Sequence, residues 1–391
     1  MVAIGVSSGE KPESNMNFQD RLSDICRRMR DENFALVVAL HDGAHFIETP
    51  NPVTVLSGFK SIGPAAALLT SNGSCTLVVT PHWDAARAVE ICPQARVVGA
   101  DDLVAALRVF FSDDFPRDTI GEIGVAGLLF LPSGLASPIA AALAGARAAD
   151  KLIFDAARTK TAEEIAFARE AARIAELGYT RLLQIAAPGM TEDALALELK
   201  GYMKKLGAED NFLLLCAGPH NRAVQPSTGR KLARGDIILA EITPSYRGQL
   251  TQICRTVVIG DPPDELSRKY ALVVQAMNEG IAAARPGVAM AEVCRAINAV
   301  LEAQGYGVYC HPPHIRRRGH GLGFASIRPG DVSLDNATVL EPDMLFMIHP
   351  NQYLPETGYL LCGEPVLITA RGAEVLTREQ SSLGVAGRWK D

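Results

Sequence analysis

A chain of 391 residues, 48% hydrophobic and 21% charged, is long enough for two domains with cores of their own. Its formal net charge of −6 excludes the broad basic face that nucleic acid requires, and no apolar run approaches the ~18 residues of a membrane-spanning helix. The eight cysteines are scattered without Cys-x-x-Cys spacing, which fits reduced, buried thiols in a cytoplasm.

Residues 1–16 are rich in Ser, Gly, Pro and Asn and are expected to be a flexible tail. They lack the basic start and apolar stretch of a signal peptide. Phe18, Leu22, Ile25 and Met29 then share one helical face, and "ALVVALH" (35–41) follows as a strand. "AALLTSNGSCTLVVT" (66–80) reads as two strands around an Asn-Gly turn, and "PHWDAARAVEI" (81–91) as a helix. "ARVVGA" (95–100) and "GEIGVAGL" (121–128) are further strands between helical stretches. Alternating strands and helices imply an α/β domain over 17–156.

From residue 157 the pattern changes. Residues 157–207 are nearly all helical, opened by a Thr161–Glu164 capping box and interrupted by the turn and cap in "PGMTEDAL". Residues 267–305 repeat that plan around "RPGVAMAEV", as an internal duplication would. Strand-rich segments, 211–260 and 338–377, follow each helical pair. The expected fold class is α+β, with a pseudo-symmetric second domain over 157–391 built on a curved antiparallel sheet. "RKLAR" (230–234) and "HIRRRGH" (314–320) are short basic runs in an acidic chain and are read as serving local needs, a substrate or a helix end.

The duplication, with "RGDIILAEITPSYRGQLTQICRTVVIG" (234–260), "RRGHGLGF" (317–324), "VLEPDMLFMIHPNQYLP" (339–355) and "EPVLITARGAEVLT" (364–377), resembles the creatinase/prolidase/aminopeptidase P family. That likeness implies the pita-bread fold for the second domain and covers residues 18 to 378. In the smaller domain "NPVTVLSGF" (51–59) resembles a strand of the same family.

The family's peptidases hold two metal ions with two Asp, one His and two Glu. Laid on this sequence, these positions fall on Glu241, Gln252, His320, His349 and Gly363, with Glu364 next door. Two further histidines of the peptidases would fall on Val224 or Gln225 and on Ile327. A bridged pair of dications needs several anionic oxygens. Gln252 is neutral, Gly363 has no ligand, and an imidazole cannot bridge as a carboxylate does. The resemblance therefore points away from a two-metal proline peptidase and toward a branch similar to creatinase and ectoine hydrolase.

The expectation that follows is a metal-independent hydrolase without a cofactor, cleaving an amide, amidine or guanidino C–N bond in a small polar nitrogen-containing acid. Such a reaction needs a base for water and an acid for the leaving nitrogen. His320, His349, Glu241 and Glu364 are the candidate catalytic set; Gln252, Gln225, Arg328 and Lys60 are the candidates for binding substrate. A lone carboxylate in the apolar strand "IILAEIT" is costly unless paired, which favours a function for Glu241. Glycines around His320 permit close approach of a ligand. His349 at a strand end has an ordinary alternative, a ring capped by a carbonyl, and Glu364 another, a strand-edge acid.

Three alternatives stay open. Glu241, His320 and His349 form a two-histidine, one-carboxylate set that suits one divalent ion. A lyase acting on a small zwitterion is a second. A non-catalytic binding module, like the peptidase-like domains of histone-chaperone subunits, is a third; the polar, titratable replacements at the decayed positions and the lack of an acidic tail speak against it. The resemblance also implies a homodimer in which the loop 59–65, carrying Lys60, approaches the partner's active site.

Overall fold

A computed structural model describes residues 19–114, 121–324, 330–379 and 381–387; the expected tail at 1–16 and the binding candidate Arg328 lie outside them. The chain starts with α1 (Gln19–Asp31), whose apolar face docks beside β1 (Phe34–His41), a strand buried along its whole length. Next come α2 (Pro52–Ser57), the hairpin β2 (Ala65–Thr70) and β3 (Cys75–Val79), α3 (Ala85–Ile91), β4 (Arg96–Gly99) and α4 (Leu103–Val109). After these lie β5 (Glu122–Ala126), α5 (Ser133–Ala142), β6 (Arg147–Ala148) and α6 (Asp150–Ala156). The strands form one mixed sheet in the order β4-β3-β2-β1-β5-β6; β1–β2 and β2–β3 pair antiparallel, and β1–β5, β3–β4 and β5–β6 pair parallel.

One expectation in this region fails. "NPVTVLSGF" is a helix, not a strand, although its Val and Thr residues favour strands. Local capping decides it: Asn51 Oδ1 accepts from the Thr54 amide at 3.0 Å, and Pro52 fits the first turn. Gly58 closes the helix in the left-handed region at φ 71°.

The second half begins with α7 (Ala162–Ile185), started by the expected Thr161–Glu164 capping box, and α8 (Glu192–Lys205), capped by Thr191. β7 (Asn211–Gly218), β8 (Ile237–Tyr246), β9 (Gln249–Leu250) and β10 (Ile253–Ile259) follow. The second helical pair is α9 (Asp264–Ala283) and α10 (Met290–Ala303). After it come β11 (Gly319–Gly321), β12 (Leu345–Ile348), β13 (Gln352–Leu354), β14 (Gly358–Leu360), β15 (Glu364–Thr369), β16 (Gly372–Val375) and β17 (Gly384–Ala386).

The duplicated plan is visible in two sheets, β17-β10-β8-β7 and β11-β12-β15-β16, each with its own helical pair. All pairings within them are antiparallel except β17, which joins β10 in parallel. The two sheets are stitched at their centre by a reciprocal backbone pair: the amides of Cys254 and Gly363 each donate to the other's carbonyl at 3.2 Å. That seam brings the middle of β8 and β10 beside the end of β12 and the start of β15. Two hydrophobic clusters run from Leu22 to Ala157, and two more from Ala168 to Ala386.

Candidate active site

A cleft of about 450 Å³ opens beside the seam. Its floor carries Glu241, Gln252, His320, His349 and Asn351, and its rim carries Glu48 and Arg317. The strands dictate this gathering. Register places Cys254 of β10 and Leu214 of β7 on either side of Glu241. His320 lies opposite Met347 in the β11–β12 pair, and His349 follows directly after β12. Arg318 locks this corner from beneath. It is buried, its Nε donates to Asn298 Oδ1 at 2.7 Å and its Nη1 to Gln352 Oε1 at 2.9 Å, while its carbonyl accepts from the His349 amide.

Glu241 has no cation in direct contact among the described residues. Desolvation by the surrounding strands raises its pKa from 4.5 to about 7, with the Arg317 charge pulling it down and that of Glu48 pushing it up. Asn351 donates through Nδ2 to Glu241 Oε1 at 3.3 Å. The direction of that amide is fixed, because Asn351 Oδ1 accepts from the Cys362 backbone N–H at 3.1 Å.

The two imidazoles stand edge to face with centroids 5.1 Å apart. His320 Nδ1 faces the Gly321 carbonyl at 3.0 Å and Nε2 faces Gln252 Oε1 at 2.9 Å. A neutral ring has one N–H, so turning the Gln252 amide end for end gives the second nitrogen its donor. Burial holds the His349 pKa well below the ordinary histidine value, reinforced by His320 and Arg317. His349 is therefore a neutral ring, and its Nδ1 is buried with no hydrogen-bond partner. An orphaned buried acceptor or donor is costly unless something fills the cleft.

Of the expected catalytic set, Glu241, His320 and His349 meet here, and Gln252 joins them. Glu364 does not. Its Oε1 pairs with Arg255 Nη2 at 2.9 Å and takes the Ser381 hydroxyl, and its Oε2 accepts from Thr377 Oγ1 at 2.7 Å. A side chain one residue along a strand points to the opposite face, so the neighbour of Gly363 cannot stand in for it. Gln225 is exposed and away from the cleft. Lys60 lines a different cleft, where it pairs with Asp210 at 2.9 Å.

Sequence reasoning missed Asn351, Tyr359, Glu48 and Arg317, all of which line the cleft. The run Arg316-Arg317-Arg318 held a signal for the last of these. Arg316 is exposed at the mouth, Arg318 is the buried lock, and Arg317 pairs with Glu48 at 3.0 Å and Asp331 at 3.2 Å. Glu48 carried no signal, since it arrives from the other domain.

The comparisons with known proteins accord with the fold. Metallopeptidase family M24 matches residues 166–370. An uncharacterized peptidase, YqhT, of Bacillus subtilis is 30% identical over 227 residues, 57% of this chain and 63% of that protein. The chain thus spans just under two thirds of that relative's length. A Pyrococcus furiosus Xaa-Pro dipeptidase is 29% identical, over 60% of this chain and 67% of its own. The crystal structure of a prolidase from Pyrococcus horikoshii superposes with a TM-score of 0.79 at 23% identity, covering 93% of this chain and 99% of the other.

These matches correct one expectation. A metallopeptidase family works with metal, so the sequence-derived expectation of no cofactor is overturned. The residues of this cleft nevertheless do not fit a two-ion centre. Gln252 and Gly363 offer no anionic oxygen, Glu364 is held elsewhere, and no group of three or more His, Cys, Asp or Glu among the described residues is placed to hold an ion.

Proposed function

The chain belongs to metallopeptidase family M24, and we propose on that premise that it is a hydrolase cleaving a C–N bond in a small, polar, nitrogen-containing acid. The observation that carries this reading is Glu241, a carboxyl titrating near 7 beside two imidazoles in a small cleft. A group with that pKa exchanges protons readily in both directions at neutral pH. Glu241 takes a proton from the attacking water and returns it to the leaving nitrogen. The unpartnered Nδ1 of His349 meets a polar atom of the substrate, and the Gln252 amide holds another without adding charge. Arg317 at the rim, its two terminal nitrogens held by Asp331 and Glu48, contributes positive charge at the mouth.

A family metal would find its donors here in Glu241, His320 and His349. They are not gathered around a common point in the structure, so no step is assigned to it. The names of the relatives offer a competing substrate, an Xaa-Pro dipeptide. The neutral and absent side chains at positions 252 and 363 favour a non-peptide amide, amidine or guanidino compound, as in the creatinase-like branch. The homodimer is also part of the proposal, resting on the likeness alone.

The test is turnover of matched panels, small guanidino and cyclic amidine acids against Xaa-Pro dipeptides, with and without added Mn²⁺ or Zn²⁺. Turnover confined to the first panel, lost by about 10²–10⁴-fold in Glu241→Gln, is the expected result. Hydrolysis of the dipeptides overturns the non-peptide reading.

A further inference from the structure

The seam between the two sheets has a feature that bears on the family's metal chemistry. Gly363 has no left-handed φ, so its backbone is open to any L-residue and only space explains the glycine. A Cβ there would lie 2.5 Å from His349 Cβ, 2.5 Å from Met347 Cε and 3.1 Å from His349 Cα. The methionine tip can move away; the His349 Cβ and Cα are part of the chain itself. Nor can Gly363 retreat. Its amide and carbonyl are both paired with Cys254 at 3.2 Å, and its carbonyl also accepts from Arg255 Nη1 at 2.8 Å.

We infer that position 363 is closed to any side chain while the chain at 349 keeps its present place, so that the second ion of a two-ion centre has no site in this chain. The crowding atoms are the Cβ and Cα of residue 349, which a glutamate there would also present, so it is the position of the chain at 349 and not the imidazole that closes 363. Glu364 cannot replace the lost ligand, because it faces the other way into its pair with Arg255. Gln252 cannot either, because its amide is engaged with His320 and carries no charge. The capacity of the cleft is one divalent ion at most, on Glu241, His320 and His349. This inference rests on family membership and on geometry, and it stands or falls independently of the substrate.

The test counts ions, not turnover. Chelator-treated protein is titrated with Mn²⁺, and binding is followed by electron paramagnetic resonance and by elemental analysis after desalting, beside Glu241→Ala and His320→Ala. One equivalent or none that depends on Glu241 supports the inference. A second equivalent retained in both Glu241→Ala and His320→Ala is bound elsewhere and also leaves the second position closed. Two equivalents lost together in Glu241→Ala, with the exchange-coupled signal of an ion pair, overturn it. The crowding has its own readout in unfolding by urea. Gly363→Ala lowers the midpoint in wild type, and His349→Gly combined with Gly363→Ala recovers part of that loss. A Gly363→Ala variant as stable as wild type, or a double variant with purely additive losses, overturns the steric argument.

Discussion

Two glutamates lie on either side of the Cys254–Gly363 seam, both embedded in β-sheet, and they have opposite environments. Glu364 is fully satisfied: an arginine and two hydroxyls share its two oxygens. Glu241 has only weak donors, the Asn351 amide at 3.3 Å and the Cys254 thiol at 3.9 Å, with a distant arginine and an open cleft in front of it. A buried carboxylate that is paired holds structure together, and one that is left unpaired is held at a cost that chemistry can use. The environment sorts the two, and their proximity in sequence to the family's ligand positions does not.

The sharpest way to break this contrast is to unpair Glu364. Arg255→Met leaves its carboxylate buried without a cation, which should cost about 3–5 kcal/mol. Urea unfolding measures it. A loss below about 1 kcal/mol, the size of an exposed pair, would mean that Glu364 is not the anchor its contacts indicate.

The reverse experiment applies to Glu241. Its pKa is raised, so the folded state resists ionising it. Below about 4.5 the group is protonated folded or unfolded and costs nothing. Between about 4.5 and about 7 the unfolded chain ionises first, and stability falls as pH rises; above 7 the loss is complete. The full gap from 4.5 to about 7 corresponds to about 3 kcal/mol. Glu241→Gln should therefore be more stable than wild type by up to that amount at pH 8, and equal to it at pH 4, while losing activity. Equal stability at both pH values would show that Glu241 is not desolvated.

Much of this arrangement was legible in the sequence, for identifiable reasons. Capping at Thr161, the duplicated helix-turn-helix units and the apolar strand around Glu241 are local signals. They placed the helical pairs and the strand blocks between them. Glu241 stood out as a polar group in an apolar strand, and His320 and His349 were placed mainly by the resemblance to the family's ligand positions. What stayed hidden depends on what each side chain meets in space. Glu364 looked like a ligand because strand register, which turns it to the other face, cannot be read from one strand. Asn351 gains its role from the Cys362 amide, and Glu48 from a contact across domains. The helix at Pro52–Ser57 was obscured because three β-branched residues outvoted one asparagine cap on propensity alone.

Asn351 offers a smaller test. Its amide donates to ionised Glu241 and favours that form. Asn351→Ala removes the donor and should move the Glu241 titration upward, with a stability loss above pH 7 of about 1 kcal/mol. The pH at which the Glu241→Gln difference levels off, read in the Asn351→Ala background, reports the shift. A midpoint that stays at its wild-type value would show that the amide plays no part in holding the carboxylate.

The rim gives the smallest effect and separates charge from packing. Arg317 and Glu48 are each more than one-third exposed in their side chains, so their pair contributes about 0–1 kcal/mol to stability. Their influence on Glu241 runs in opposite directions: the guanidinium lowers its pKa and the carboxylate raises it. Glu48→Gln should therefore shift the Glu241 titration down and Arg317→Met should shift it up, with little change in the stability of the protonated protein at pH 4. If both variants move the titration the same way, the rim acts by admitting water to the floor, and the contrast between Glu241 and Glu364 is one of solvent access more than of charge.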